Sequence, residues 1–294
     1  MIPFILYKLG SLLTRLLPYR VVYLVAAFVS DLNYAVNRRS RRAVFANLRH
    51  VLAHHPPAER MDAIARRVFR NFALNIVDFL RLPLVDRAEM QRVVRVEGWE
   101  HAERAQAAGH GVIFLSCHLG NWEWAGVKFA QEGFRIKAVA LDHGAGRVTR
   151  FFSERRRGKG IEPLPLSGST FAMIEWLRAG GAVGVIADRD YAHQGMEVTF
   201  FDAPAIMPRA HAILATKTGA PIVPCFLLRE ASDHFRMIVE PPVYAADFQH
   251  LEADFRVRAI IERCLRIFEQ VIVHHPDQWF VFEPLWEADQ VKGR

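Results

Sequence analysis

The sequence predicts an α/β fold in which a mixed β-sheet is layered with helices and preceded by further helices at the N-terminus. Apolar residues make up 51% of the 294 residues, which is enough for a large buried core. From Gly111 onward, short apolar runs alternate with amphipathic stretches, whereas residues 36–95 are rich in Arg and Ala and have helical character. This alternation is typical of a sheet covered by helices.

The individual elements follow from the length and spacing of the apolar runs. The runs that are short enough for buried strands are Gly111–Cys117, Ile136–Leu141, Ile161–Leu166, Ala182–Ala187, Pro221–Leu228 and Phe235–Val239. The stretches with helical spacing are Arg41–Ala53, Ala58–Leu82, Asn121–Gln131, Thr170–Ala179, Arg209–Thr218 and Phe255–His274. A Pro-Pro turn at residues 56–57 separates the first two of these helices.

The composition excludes a disordered chain and a disulfide-rich one. The three cysteines, Cys117, Cys225 and Cys264, are odd in number and widely spaced, so they predict neither a disulfide framework nor a Cys-based zinc site. A reduced chain that faces the cytoplasm is the simplest interpretation.

Residues 1–36 are interpreted as N-terminal membrane-associated helices, and residues 37–294 as one catalytic domain. The net charge of +7 arises within residues 1–50, which hold eight cations and one acid. Ile2–Leu17 has an apolar face opposite Lys8, Ser11 and Arg15, and Pro18 interrupts it. The uncharged stretch Val21–Ser30 is shorter than the roughly 20 residues of a membrane span.

A basic amphipathic helix followed by a short apolar one favours an element that lies on an anionic membrane surface. The alternative is a helical cap on a soluble core, with its arginines in solvent. Nucleic acid is not an expected partner, because the cations accompany leucines and not a platform of base-stacking aromatics. No small-residue cleavage site follows the first helix, so a secretory signal is not predicted.

The segment Ser116–Glu123 contains the strongest candidate for chemistry. His118 follows a predicted strand, where the sites of open α/β sheets lie, and Asn121 is suited to cap the next helix. We expect Glu123 to fold back and accept a hydrogen bond from one imidazole nitrogen, which makes the other a stronger base. Such a base would deprotonate a hydroxyl that attacks an acyl thioester. Backbone N–H groups at the helix start would stabilise the oxyanion or hold a phosphate.

Other interpretations of this segment remain open. A histidine after a strand is often only a hydrogen-bonded loop residue. A metal pair lacks a third ligand and the His-x-x-x-His spacing of a zinc helix. Cys117 beside His118 suggests a Cys–His nucleophile, but neighbouring residues on a strand point to opposite faces, which favours Cys117 as core.

The run His118-Leu119-Gly120-Asn121-Trp122-Glu123 resembles the HX4D/E signature of glycerolipid acyltransferases. The residues of this run are similar to those of the lipid A biosynthesis (lauroyl/myristoyl) acyltransferase family, which includes phosphatidylinositol mannoside acyltransferases. Further segments resemble this family in order over roughly residues 1–285: Arg42 with Asn47-Leu48, Arg156 with Gly160-Ile161-Glu162, and Ala187-Asp188-Arg189-Asp190 followed by Glu197–Phe201 and Met207-Pro208.

The resemblance implies a glycerolipid acyltransferase-like fold and transfer of an acyl group from acyl-carrier protein or acyl-CoA to a lipid hydroxyl. A lipid A precursor is the expected acceptor, at the cytoplasmic face of the inner membrane, and neither a metal nor an organic cofactor is expected. His118 becomes the general base and Glu123 its orienting partner. The expected substrate-binding residues are Asn121, Arg156, Asp188, Arg189, Asp190 and Glu197.

Several of these residues have a structural alternative. Arg189 is suited to phosphate by its guanidinium fork, or is held between Asp188 and Asp190. Glu197 positions the acceptor or is an exposed edge-strand residue. Arg156 lies in an arginine run of the kind that is usually solvated.

The alternative functions are acyl transfer to another glycolipid or a lysophospholipid, a thioesterase or lipid hydrolase, and a non-catalytic lipid-binding membrane protein. A Gly-x-Ser-x-Gly elbow is missing from the sequence, which disfavours the hydrolase.

Overall fold

The first part of the chain is helical, as its Arg- and Ala-rich composition predicts. The computed structural model describes residues 2–53, 58–140, 146–166 and 168–286. Pro18 separates the first two helices, as predicted, and the predicted turn at 56–57 lies outside the described residues. The helices before the first strand are α1 (Ile2–Leu16), α2 (Tyr19–Val36), α3 (Arg38–Val51), α4 (Met61–Arg81) and α5 (Arg87–Val93).

Strands and helices alternate through the rest of the chain. All six predicted strands form, although the predicted end of the second, Leu141, lies outside the described residues. In chain order the elements are β1 (Val94–Glu97), α6 (Trp99–Ala107), β2 (Val112–Ser116), α7 (Trp122–Gln131), β3 (Ile136–Ala140), α8 (Gly146–Arg157), β4 (Ile161–Pro165), α9 (Thr170–Arg178), β5 (Ala182–Ile186), β6 (Met196–Phe200), β7 (Ala203–Met207), α10 (Ala210–Thr218), β8 (Ile222–Ala231), β9 (His234–Val239) and α11 (Ala253–His274).

Seven strands form one mixed sheet in the order β1-β9-β8-β2-β5-β3-β4. The strands from β8 to β4 in this order are parallel to one another, whereas β9 runs antiparallel to β8 and parallel to β1. Strands β6 and β7 pair separately as an antiparallel hairpin. The predicted α/β class with a mixed sheet is therefore confirmed.

The sheet has a hydrophobic core on each face, because successive side chains of a strand point to opposite sides. On β2, Ile113 and Leu115 pack with residues of α10 and α11. Val112 and Phe114 pack on the other face, where Phe114 stacks on Phe129 of α7 with 3.7 Å between ring centroids. Helices thus cover both faces of the sheet.

Helix α1 packs on α4 through its small and polar side. A Cβ built at Gly10 would lie 2.7 Å from Leu80 Cδ1, so the two helices approach closely there. Ser11 and Thr14 are buried. The sequence places Ser11 opposite the apolar residues, together with Lys8 and Arg15; in the structure Ser11 faces the protein, whereas Lys8 and Arg15 are exposed.

The large apolar side chains of α1 and α2 instead point outward. We call this surface the apolar face, and its exposed residues are Ile5, Leu6, Leu9, Leu12, Leu16, Val21, Leu24, Val25, Phe28, Val29, Leu32 and Val36. A cap on a soluble core would bury these side chains. Within the part of the chain that the structure describes, no helix has the length and hydropathy needed to cross a bilayer.

Candidate active site

The register of two parallel strands brings His118 and Asp188 together. Ser116, the last residue of β2, is the Cα partner of Ile186, the last residue of β5. His118 and Asp188 each lie two residues beyond the end of their strand. His118 Nδ1 lies 2.6 Å from Asp188 Oδ1, and the His118 backbone N–H donates to Oδ2 at 2.9 Å. The pair thus lies at the carboxyl edge of the sheet, where the sequence places His118.

Asp188 is fully buried and accepts a further hydrogen bond, from Trp279 Nε1 at 2.9 Å. Burial alone would raise the pKa of Asp188, but the His118 ring and these hydrogen bonds outweigh it, so that the pKa lies below its ordinary value. An ionised carboxylate only accepts hydrogen bonds, so Nδ1 of His118 is the donor to Asp188, and in the neutral ring Nε2 carries the free lone pair.

Glu123 does not have the partner that the sequence predicted. Its carboxylate accepts two hydrogen bonds from Arg156, from Nε at 3.0 Å and from Nη2 at 2.5 Å. Asp188 occupies the expected place of Glu123 at the imidazole, because strand pairing brings Asp188 to Nδ1. Glu123 instead lies on the first turn of α7, facing α8.

Arg156 is held as a cation in this pair and is not a solvated surface residue. Burial would lower the pKa of Arg156, but the Glu123 carboxylate raises it above its ordinary value. The bidentate geometry fixes the guanidinium plane as well as its charge.

A tight turn connects His118 to α7. Gly120 has a φ of +60°, and a Cβ built there would lie 2.1 Å from the carbonyl oxygen of Leu227, so only glycine fits. Asn121 caps α7 as predicted, since its Oδ1 accepts from Trp124 N at 3.1 Å. The N–H groups of Asn121 and Trp124 already have partners, so the predicted oxyanion site would use those of Trp122 and Glu123.

His118 and the Glu123–Arg156 pair line the same cavity, which has a volume of about 460 Å³. Most of the lining is apolar, and it includes Tyr7 of α1. Other lining side chains are Phe72, Phe79, Trp122, Phe152, Ile213 and Phe280. An apolar cavity with a few polar groups at one point suits a lipid.

The other predicted substrate-binding residues lie in different places. Arg189, Asp190 and Asn121 line the cavity, whereas Asp188 lies behind His118 and supports it. Arg189 pairs with Glu283 and stacks over Tyr191, so it is not held between its two acidic neighbours.

Asp190 is held within its own loop, and Glu197 lies outside the cavity. Asp190 Oδ2 accepts from Gly195 N at 2.6 Å, within its own loop. Glu197 is an exposed residue of β6 opposite Ile206, and it is not among the residues that line the cavity. The structure therefore favours the edge-strand interpretation of Glu197.

Sequence reasoning missed the structural roles of Trp279 and Tyr7. The hydrogen bond from Trp279 to Asp188 joins residues 91 positions apart, and no local pattern signals such a contact. Tyr7 lies between the apolar positions of α1. Cys117 is fully buried, as predicted. Among the described residues, no group of His, Cys, Asp and Glu side chains is arranged to hold a metal.

Comparison with known proteins identifies the family of the chain. The sequence profile of the family described as bacterial lipid A biosynthesis acyltransferase matches residues 2–288. A phosphatidylinositol mannoside acyltransferase of Mycobacterium tuberculosis is 29% identical over 295 aligned residues, covering 98% of this chain and 90% of that protein. Another, from Mycolicibacterium smegmatis, is 29% identical over 287 residues, covering 96% and 91%. The chain belongs to the bacterial lipid A biosynthesis acyltransferase family and is an acyltransferase.

Proposed function

We propose that this protein transfers a fatty acyl group from an acyl thioester to a sugar hydroxyl of a membrane glycolipid. The observation that supports this most directly is the His118–Asp188 pair at the wall of a large, mostly apolar cavity. A base oriented by a carboxylate suits a hydroxyl nucleophile, and the apolar lining suits acyl chains.

In the proposed reaction, Nε2 of His118 takes the proton of the acceptor hydroxyl as its oxygen attacks the thioester carbonyl carbon. The carbonyl oxygen becomes an oxyanion, which the Arg156 guanidinium and the N–H groups of Trp122 and Glu123 stabilise. The C–S bond then breaks, and the thiolate takes the proton from the His118 imidazolium. Asp188 holds the ring in one tautomer throughout, and Glu123 holds Arg156.

A second pocket of about 100 Å³ lies against the Glu123–Arg156 pair and is proposed to hold the end of the acyl chain. It shares Trp122, Glu123 and Arg156 with the large cavity, which indicates that the two adjoin. The rest of its lining is mainly apolar and comes from the sheet and α7, and it includes Phe114, Gly126, Ala138, Gly184 and Cys225.

Residues 1–36 are proposed to seat the protein on the cytoplasmic face of the membrane. The apolar face of α1 and α2 supports this, as does the position of Lys8 and Arg15, which are exposed beside it. Tyr7 of α1 also lines the cavity, so the seated helix would place the lipid entry close to the bilayer.

The acceptor is proposed to be a lipid A precursor or a phosphatidylinositol mannoside. The family description supports the first, and the curated relatives support the second. Both are glycolipids, and Arg189 at the cavity wall is suited to an anionic group near the sugar. The proposed donor is acyl-carrier protein or acyl-CoA.

The test is transfer by the purified protein in mixed micelles, with each acceptor paired with each donor and the product identified by mass spectrometry. We expect one acceptor to gain a single acyl chain, and the His118→Ala variant to lose this activity by at least about 100-fold. Lipids of a deletion strain should contain an under-acylated species. Binding of acceptor without transfer under every pairing would instead establish a lipid-binding protein.

A further inference from the structure

Five polar side chains form a buried cluster beneath the His118–Glu123 turn, and none of its contacts is used by the proposed chemistry. We call it the Asp78 cluster, and its members are Tyr23, Asn75, Asp78, Asn121 and Arg229. Asp78 is fully buried, and the other four are less than a tenth exposed, counting the side chain of Arg229.

Asp78 connects four parts of the fold. Its carboxylate accepts hydrogen bonds from Tyr23 Oη of α2, from Arg229 Nη2 of β8, and from Asn121 Nδ2 at 2.9 Å. The Asp78 backbone carbonyl accepts from Trp124 Nε1 at 3.3 Å. Asp78 itself belongs to α4, so α2, α4, β8 and the start of α7 meet at this one residue.

The neighbouring turn of α4 holds the same loop from a second point. Asn75 Nδ2 donates to the carbonyl of Gly120 at 2.5 Å, and Asn75 Oδ1 accepts from Arg229 at 3.3 Å. Arg229 in turn is fixed by Gln278, which exchanges two hydrogen bonds with its backbone at 2.9 Å. The two residues between His118 and Trp122 that form the tight turn, Gly120 and Asn121, are thus both tied to this cluster.

The charges in the cluster make its geometry specific. Burial would lower the pKa of Arg229, but the Asp78 carboxylate raises it above its ordinary value, so the pair is ionic. Removing two ions from water is costly, and an apolar replacement of equal volume is often as stable. A buried ion pair is therefore better explained by the orientation it imposes on its partners than by stability.

Resting on the proposed function, we propose that Asp78 is a positioning residue for acyl transfer, acting through Asn121, and that Tyr23 connects the membrane-seated helix α2 to it. Asn121 lies between His118, the base, and Glu123, which holds Arg156. A shift of this turn would move the imidazole relative to the guanidinium and would slow the chemical step without loosening substrate binding.

The chain offers a matched control for Tyr23. Tyr34 also lies on α2, is 8% exposed where Tyr23 is 7%, and also donates from Oη to an aspartate of α4, Asp62, at 2.7 Å. The Tyr34–Asp62 pair does not contact the turn in any hydrogen bond of the described residues. Tyr23→Phe and Tyr34→Phe thus each remove a hydroxyl of α2 that donates to an aspartate carboxylate of α4, and only the first touches the Asp78 cluster.

The experiment measures kcat and KM for transfer to the glycolipid in mixed micelles, together with the thermal unfolding midpoint. We expect Tyr23→Phe to lower kcat about tenfold with KM within about twofold, and Tyr34→Phe to leave both within about twofold. Wild-type transfer that is lost in His118→Ala upholds the proposed function. Equal kcat values for the two tyrosine variants would then overturn this inference alone.

A double-mutant cycle tests the route through Asn121 even if both tyrosine variants lower stability. If Tyr23 acts through Asn121, the kcat of Tyr23→Phe combined with Asn121→Ala should match that of Asn121→Ala alone. The fold reductions in kcat caused by Tyr34→Phe and by Asn121→Ala should instead multiply in the double variant. If the fold reductions in kcat caused by Tyr23→Phe and by Asn121→Ala also multiply, Tyr23 does not act through the turn.

Discussion

Arg156 binds Glu123 through a bidentate pair, with Nε to Oε2 at 3.0 Å and Nη2 to Oε1 at 2.5 Å. Its two neighbours in the arginine run point elsewhere, since Arg155 donates to Ser11 Oγ and Arg157 to Glu162. The side chain of Arg156 is 14% exposed, against 53% for Arg157. One residue of an arginine run that resembles a solvated surface, Arg156, therefore lines the cavity.

Glu123→Gln should lower kcat by about 10- to 100-fold, because the neutral amide no longer holds the Arg156 guanidinium in place for the oxyanion. The measurement is the rate of acyl transfer at saturating donor and acceptor. Glu162→Gln is the matched control, since it removes the carboxylate partner of the adjacent arginine at the surface. A Glu123→Gln variant as active as Glu162→Gln would contradict the assigned role.

Asp188→Asn should lower kcat by about 100-fold or more, because the amide no longer selects the tautomer of His118 that leaves Nε2 as the base. The measurement is kcat as a function of pH. Substrate binding should persist, since Asp188 lies behind the histidine and does not line the cavity. Wild-type activity in this variant would show that the general base does not depend on the His118–Asp188 pair.

The same carboxylate predicts an acid-dependent loss of stability. Because the pKa of Asp188 in the folded state lies below its ordinary value of 3.8, its charged form stabilises the fold above that pH. This contribution is lost as the pH falls through the lower, folded-state pKa. Denaturant unfolding below pH 4 should therefore show a decline in the free energy of unfolding that is smaller in Asp188→Asn.

The buried imidazole of His211 predicts a second decline in the free energy of unfolding, at higher pH. Neither of its ring nitrogens has a hydrogen-bond partner among the described residues, and burial lowers the pKa of His211 from 6.5 to about 4. The unfolded chain takes up this proton below pH 6.5 and the folded chain only below about pH 4. Between these values the free energy of unfolding should fall by up to about 3 kcal/mol.

The His211→Leu variant checks this assignment. It should lose less stability than the wild type between pH 6.5 and 4, as measured by urea unfolding. The exposed His234 is the control, and His234→Asn should retain the decline that His211 causes. Identical pH dependence of His211→Leu and the wild type would assign the decline to other groups.

Phe28→Asp should weaken binding to vesicles that contain anionic lipid by at least about tenfold, since it places a charge in the apolar face of α2. Phe28 is 72% exposed, so the substitution costs little core packing. Phe255→Asp on α11, at a position that is 63% exposed, is the control for an added surface charge. Co-sedimentation is the measurement, and equal retention of the two variants would place the membrane contact elsewhere.

The alternation of elements and the position of His118 were predictable because both are local properties of the chain. Buried strands such as Val112–Ser116 are continuous apolar runs, and the Asn121 cap lies next to the helix that it begins. The elements that were missed have weak local signals. Strand β1 has four residues, and α8 has an arginine run that resembles solvated surface.

By itself, the sequence determined the α/β class, the strand that ends at the histidine and the amphipathic character of the N-terminal helices. Only the tertiary structure decided which carboxylate meets the imidazole and which side of α1 faces outward. Strand order is set by packing of the whole sheet, so the adjacency of β2 and β5 that joins His118 to Asp188 has no local signal. Which side of α1 faces outward also depends on a residue distant in the sequence. Gly10 fits against Leu80 of α4, and the leucines of α1 are thereby turned away from the protein.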